Sequence, residues 1–134
     1  MNDVIKTFKT LSDETRLRIL CLLMKRECCV CEVMQVLLIS QTRASRNLSA
    51  LYDAGFLKVK KEGLWSLYYI SPDIDKEYLK ELVDVVVKAI EYKDLIVKDR
   101  ERLEKAERLA PESVRNFDKE LNEQLDPLVS RISR

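Results

Sequence analysis

The stretch that decides the fold reads Leu38-Ile39-Ser40-Gln41-Thr42-Arg43-Ala44-Ser45-Arg46-Asn47-Leu48. Ser40 suits the N-cap position, because a serine hydroxyl can accept a hydrogen bond from a free amide of the first helical turn. One face of the following helix is apolar at the spacing i, i+4 and i+7, through Ala44, Leu48 and Leu51. The arginines lie on the other side, and Gly55 ends the helix. The stretch therefore predicts a basic helix that follows a tight turn, the kind of element that enters a DNA groove.

The residues on either side predict a mainly helical chain with one small β-hairpin. Two glycines and three prolines are few breakers for 134 residues, which favours helix. Upstream we predict a helix over residues 4–11, a second after Ser12, and a short third at about 30–37. Downstream, β-prone runs at 56–61 and 64–70 flank a turn with a glycine, which predicts a hairpin. From about residue 76 to 109 the apolar spacing predicts one long amphipathic helix that serves as a dimer seam.

Length and charge limit the organisation of the chain. It is long enough for one core, so we predict a DNA-binding and dimerisation domain over residues 1–110 and a helical extension of unassigned role over 111–134. The apolar residues of that extension keep helical spacing at Val114, Phe117, Leu121, Leu125, Leu128 and Ile132. Residues 1–71 hold 11 Lys or Arg against 7 Asp or Glu, whereas residues 72–134 hold 13 against 16. The basic first half suits a DNA-facing module.

The chain carries no sign of a membrane or secretory protein. No apolar run approaches the roughly 20 residues that cross a bilayer, and the first residues lack the basic-then-apolar layout of a signal peptide. We therefore expect a cytoplasmic location and no membrane partner. In a reducing compartment the four cysteines would serve as ligands or redox groups rather than as structural bridges.

Three motifs, in order, resemble the ArsR/SmtB family of metal-responsive repressors. They are the opening Phe8-Lys9-Thr10-Leu11-Ser12-Asp13-Glu14-Thr15-Arg16-Leu17-Arg18-Ile19-Leu20, the run from Ser40 to Leu48, and Gly63-Leu64-Trp65-Ser66-Leu67-Tyr68-Tyr69. The resemblance implies a winged helix-turn-helix, a homodimer and a double-stranded operator with an inverted repeat. Candidate contacts to DNA bases are Gln41, Thr42, Arg43, Ser45 and Arg46, with Ser40 at the helix start. Candidate phosphate contacts on the wing are Lys58, Lys60 and Lys61.

Three of the four cysteines stand at residues 28, 29 and 31. The arsenic- and antimony-sensing branch of the family has a similar run, here Cys29-Val30-Cys31-Glu32-Val33, at the start of the third helix. This resemblance implies that Cys29 and Cys31 bind As(III) or Sb(III) as an inducer, with no cofactor required. The branch has a third cysteine where this chain has Met34, so Cys28 is the candidate third ligand. Thiolates suit such ions, and the chain has no histidine for the family's zinc site.

The geometry of this cluster makes a further prediction. Residues at i and i+2 on a helix do not face each other. One ion can therefore join Cys29 and Cys31 only if the first turn of the third helix is opened or was never formed. Ligation would then distort a helix that packs beside the DNA-reading helix, and DNA would be released.

Two other functions stay open. The same repressor could respond to thiol oxidation, and then a Cys28–Cys31 or intersubunit bridge would be needed, because adjacent cysteines bridge only with strain. A thiol metal carrier or thiol enzyme is the other alternative. The chain has no histidine as a base and no glycine-rich phosphate loop, so we predict that it is not an enzyme.

Overall fold

A computed structural model describes residues 1–74 and 76–132, and the side chains up to residue 124. Its elements are α1 (Asn2–Leu11), α2 (Glu14–Lys25), β1 (Cys28–Cys29), α3 (Val30–Leu37), α4 (Gln41–Asp53), β2 (Lys58–Glu62), β3 (Trp65–Tyr69), α5 (Glu77–Ile90), α6 (Asp94–Lys105) and α7 (Pro111–Ile132). This is a helical body with a small antiparallel sheet. The apolar positions predicted at Leu125, Leu128 and Ile132 lie beyond the side chains that the structure describes.

The helix-turn-helix forms where the sequence predicts it. Asp13 caps α2, with its carboxylate accepting from the Arg16 amide at 3.0 Å, and Ser40 caps α4, with its hydroxyl accepting from the Arg43 amide at 3.1 Å. The residues that α4 buries are those of the predicted face: Ala44, Leu48 and Leu51. Leu38 turns the chain between α3 and α4 in the left-handed region, at φ 56°.

The wing contains one strand more than the sequence predicted. Strands β2 and β3 form the expected hairpin, and β1 pairs with the other edge of β3, which gives the order β1-β3-β2. Cys28 lies opposite Tyr68 and Cys29 opposite Leu67. A two-residue strand carries no period that a sequence pattern could reveal. Its effect is to fix the cysteine segment directly to the wing.

The prediction of one long helix over residues 76–109 is wrong. The segment divides into α5 and α6, and the chain turns at residues 91–93. The turn is stabilised by Arg100, whose guanidinium donates to the Glu91 carbonyl at 2.6 Å. Helix α6 then packs on α2, where Arg18 binds the buried Asp99 through two hydrogen bonds of 2.8 Å. Residues 91–93 contain neither glycine nor proline, so no helix-breaking residue ends the first helix. We therefore attribute its end to tertiary contacts.

The main core lies between α2, α3, α4 and the start of α5. Its fully buried side chains include Ile19, Leu20, Leu22, Val33, Met34, Leu48, Leu51 and Phe56. In contrast, the apolar side chains of α1 are exposed on the single chain, at Val4, Ile5 and Phe8. Among the described residues, no helix combines the length and apolar character needed to cross a membrane.

Candidate functional site

Cys29 and Cys31 lie together at the start of α3. Cys29 has extended backbone, with φ −82° and ψ 169°, and is the N-cap of the helix, whereas Cys31 belongs to its first turn. Their Cα atoms are 5.4 Å apart, and their sulfur atoms are joined as a disulfide. The sulfur atoms converge because Cys29 precedes the helix, so the divergence of i and i+2 positions does not apply to this pair. The sulfurs therefore meet without any loss of helical structure from Val30 onward.

Cys28 does not join this pair. Successive residues of a strand point to opposite faces, and Cys28 accordingly packs in the main core, while Cys29 and Cys31 form a separate cluster with Leu67. Burial raises the pKa of the Cys28 thiol to about 12. Burial also raises the pKa of Cys21, in the middle of α2, to about 11. Both thiols therefore lose their protons less readily than an ordinary cysteine, and the thiolate is the form that acts as ligand and nucleophile.

The structure also shows where Met34 lies and which cysteines are bridged. Met34, at the position of the missing cysteine, is fully buried in the main core and lies apart from the cluster of the two sulfurs. Of the two bridges named for a redox switch, Cys28 to Cys31 or one between subunits, the first is not formed, and Cys29 is bridged to Cys31 instead. The cause is again the strand, since β1 orients Cys28 and Cys29 to opposite sides.

A buried carboxylate supports the cysteine segment. Glu32 is 2% exposed, and one of its oxygens accepts a hydrogen bond from the Cys29 amide at 3.0 Å. Its charge is paired with Arg26, and Arg108 lies 3.8 Å away. Arg26 also donates to the Leu103 carbonyl of α6 at 3.1 Å. This network fixes the extended conformation of Cys29, so the position of its sulfur is determined before any ligand arrives.

A cavity of about 390 Å³ opens above the two sulfur atoms. Its walls come from the β2–β3 hairpin, the start of α4, the segment between α6 and α7, and the start of α7. They include Leu64, Trp65, Gln41, Leu109, Pro111, Val114 and Arg115. The Leu109 amide donates to the Cys31 sulfur at 3.4 Å, and the Trp65 indole donates to the Leu109 carbonyl at 3.0 Å. Within the described part of the chain, no group of three or more cysteine, aspartate or glutamate side chains could hold a metal ion. The site therefore offers two sulfur atoms, which become soft thiolate donors when the disulfide is reduced, and a mostly apolar wall.

The candidate DNA-reading side chains differ in how far they are free to bind. Gln41, Thr42, Arg43 and Arg46 of α4 are exposed, whereas Ser40 and Ser45 are half-buried. The Arg43 guanidinium donates to the Thr15 hydroxyl of α2 at 3.1 Å, which turns it along the protein surface. Arg46 is therefore the more accessible cation of the helix.

The three lysines predicted for the wing lie on β2 and are all exposed. Lys60 forms an ion pair of 2.9 Å with Glu27, and the hydrogen bond to that carboxylate raises the pKa of Lys60. Lys61 donates to the Ser66 hydroxyl at 2.9 Å. Lys60 and Lys61 therefore have partners within the protein that a phosphate would have to replace.

The sequence did not reveal that the segment after α6 belongs to the site. Leu109 and Arg108 reach the cysteine cluster from about 80 residues downstream in the chain. Trp65 packs against the cysteine pair and Leu67. Its indole hydrogen bond to Leu109 was not foreseen, since a hydrogen bond to a distant carbonyl leaves no trace in a local pattern.

The fold and the exposed basic helix define a class: the protein is a winged helix-turn-helix DNA-binding protein. Residues 13–59, from the N-cap of α2 to the second residue of β2, match the family described as "Bacterial regulatory protein, arsR family". The chain belongs to this family, as a transcriptional repressor and not an enzyme.

Individual relatives agree with this assignment. The chain is 45% identical to an uncharacterized HTH-type transcriptional regulator of Methanocaldococcus jannaschii, over 58% of this chain and 86% of the relative. It is also 45% identical to the arsenical resistance operon repressor of Escherichia coli, over 52% of this chain and 61% of that repressor. A solved homodimeric winged helix-turn-helix domain of Mycobacterium bovis, titled a possible ArsR-family regulator, is 31% identical with a TM-score of 0.56, over 69% of this chain and 83% of that one.

Proposed function

We propose that the protein is a homodimeric repressor that leaves its operator when a trivalent arsenic or antimony compound binds Cys29 and Cys31. The observation that carries this proposal is the convergence of the two sulfur atoms at the start of α3. Once a cellular thiol has reduced the Cys29–Cys31 disulfide by thiol–disulfide exchange and has itself been oxidised, the two thiolates that result can chelate one thiophilic atom. Carboxylates or hydroxyls would bind that atom far less well. The name of the Escherichia coli relative, an arsenical resistance operon repressor, supports the choice of ligand.

The position of the site supports a link to DNA binding. Cys31 and Gln41 line the same cavity, although one belongs to α3 and the other to α4. Only the turn at residues 38–40 separates the two helices. A ligand between them needs a coupling of about 1 to 3 kcal/mol to change operator affinity roughly 5- to 150-fold.

The homodimer is supported by the surface of α1 and by a relative. Val4, Ile5 and Phe8 expose an apolar face on the single chain, and the Mycobacterium bovis domain is described as homodimeric. A two-fold dimer would present two α4 helices to an inverted repeat. In this arrangement Arg46 contacts a base edge, and Lys58, Lys60 and Lys61 contact phosphates.

The ligand is tested by anisotropy with a fluorescent DNA duplex that the wild-type protein has selected from a random-sequence pool. With the Cys29–Cys31 disulfide reduced beforehand, sodium arsenite should release the duplex from the wild type and from the control variant Cys21→Ala. It should not release the duplex from Cys29→Ser or Cys31→Ser, while both variants bind DNA with unchanged affinity. If both serine variants still respond, the inducer binds elsewhere.

The DNA contact is tested with Arg46→Ala. A lost bidentate contact to a base costs about 1 to 3 kcal/mol, so affinity for the selected duplex should fall roughly 5- to 150-fold. Lys98→Ala, which removes an exposed charge from α6, is the matched control. Equal affinities of the two variants would contradict the assigned role of Arg46.

A redox switch is the second candidate, because the structure joins the two sulfurs as a disulfide. In this reaction the two thiols lose two protons and two electrons, which hydrogen peroxide takes up to form two water molecules. Release of the duplex by peroxide, reversed by dithiothreitol, together with no release by arsenite, would favour this function over the first.

A further inference from the structure

Residues 106–124, here called the cover, connect the cysteine cavity to the DNA-reading helix. They comprise the segment after α6 and the first part of α7, and their apolar side chains Val114 and Phe117 pack against the main core. Leu121 is 9% exposed. The cover is therefore docked on the winged-helix body by apolar contacts as well as by the polar ones that follow.

The first end of the cover is attached at the cysteine cluster. Gln35 of α3 exchanges two hydrogen bonds with the Glu107 backbone, as donor to its carbonyl at 2.6 Å and as acceptor from its amide at 3.1 Å. Two residues later, the Leu109 amide donates to the Cys31 sulfur and the Leu109 carbonyl accepts from Trp65. Any change at the Cys31 sulfur therefore alters a hydrogen bond between the cysteine pair and the cover.

The second contact lies at the start of α4. The Asp118 carboxylate accepts a hydrogen bond from the Gln41 amide at 2.9 Å. Gln41 is the first residue of α4, and amides at this end of a helix attract anions. Backbone amides of this kind also bind DNA phosphates. Asp118 therefore occupies a donor of the DNA-reading helix.

We propose that the cover competes with operator DNA for the start of α4, so that its docked form is the form with low DNA affinity. Undocking of α7 frees the Gln41 amide and removes a carboxylate from the surface that meets the phosphate backbone. Like charges so close to each other would oppose binding. The cover thus acts as an internal competitor of the DNA backbone.

The cavity gives the cover a way to respond to a ligand. Its walls belong partly to the body, at Cys29, Cys31 and Trp65, and partly to the cover, at Leu109, Pro111 and Val114. A ligand that touches both walls binds the docked form more tightly than the undocked form, and by linkage it weakens DNA binding by the same factor. This second half of the inference rests on the proposed function, whereas the competition with DNA does not.

The competition is tested with Asp118→Ala, without any inducer. Loss of an exposed charge-assisted hydrogen bond should raise the affinity for the selected duplex roughly fivefold. Glu120→Ala is the matched control, because it removes the same charge from an exposed position of α7. If Asp118→Ala and Glu120→Ala have the same affinity, the cover does not compete with DNA.

Hydrogen–deuterium exchange on the wild type supplies a second measurement. Peptides from residues 106–124 should exchange faster when the duplex is bound and slower when sodium arsenite is bound. Unchanged exchange on addition of DNA would overturn the competition. If arsenite does not release the duplex from the wild type but Asp118→Ala binds the duplex more tightly than its control, the proposed inducer is wrong and the competition by the cover stands. If arsenite releases the duplex from the wild type but Asp118→Ala and Glu120→Ala bind the duplex with equal affinity, the competition by the cover is wrong and the proposed inducer stands.

Discussion

The assignment of Cys28 to the core rather than to the ligand site predicts the behaviour of Cys28→Ala. Cys28 is fully buried on the face of β1 opposite Cys29. Its removal should therefore leave the response to arsenite unchanged. By contrast, loss of either sulfur of the Cys29–Cys31 pair removes one arm of a chelate, which weakens binding by about 10²- to 10⁴-fold.

The cost of Cys28→Ala should fall on stability instead. Removal of one buried sulfur loses about 0.8 kcal/mol of transfer free energy, if the atom counts as one methylene. A residual cavity of roughly 20 Å³ adds about 0.5 kcal/mol at ~24 cal/mol per Å³. The loss of about 1.3 kcal/mol corresponds to a fall in Tm of about 4 to 5 °C for a chain of 134 residues.

Both effects can be measured on the same protein sample. Calorimetry at one fixed protein concentration gives the Tm, since the stability of the proposed homodimer depends on protein concentration. Anisotropy with the selected duplex gives the arsenite concentration that releases half of the DNA. A Cys28→Ala variant that keeps its Tm but loses the arsenite response would refute the placement of Cys28, and with it the two-sulfur site.

The structure supports three further predictions. Met34→Cys should leave arsenite binding unchanged and lower the free energy of unfolding by about 1 to 2 kcal/mol, because the shorter side chain leaves a cavity in the core; tighter arsenite binding would show that residue 34 reaches the cluster. Asp99→Ala should lower the free energy of unfolding by about 3 kcal/mol in urea titrations, since it leaves Arg18 unpaired beside a buried site; a loss below about 0.5 kcal/mol, the scale of a surface substitution, would contradict this. Burial raises the pKa of Cys21 in the folded protein to about 11 from 9.0, so the contribution of this thiol to stability is present below pH 9 and lost as pH rises through 11. Cys21→Ala should therefore flatten the alkaline loss of the free energy of unfolding. An unchanged dependence of that free energy on pH would argue against this reasoning.

The sequence alone determined the helix-turn-helix and the hairpin. Both depend on signals that lie within a few residues of each other: the Ser40 cap, the apolar face of α4 and the alternation around Gly63. Such signals act through local backbone chemistry, so they remain readable without a tertiary structure. Cys29 and Cys31 were also singled out, through the resemblance of Cys29-Val30-Cys31-Glu32-Val33 to the metalloid-sensing branch of the family, and their role as ligands stays a prediction.

The tertiary structure decided which sulfur atoms meet and what lies over them. Cys28 and Cys29 form a two-residue strand, which directs their side chains to opposite faces. This strand pairs with residues of β3 that lie 38 to 40 positions away in the sequence. The division of the long helix depends on a turn held by Arg100 and on the packing of α6 against α2. The contact of Asp118 with Gln41 joins residues 77 positions apart. Interactions of this range arise from packing and pairing between distant segments, and no local pattern of residues records them.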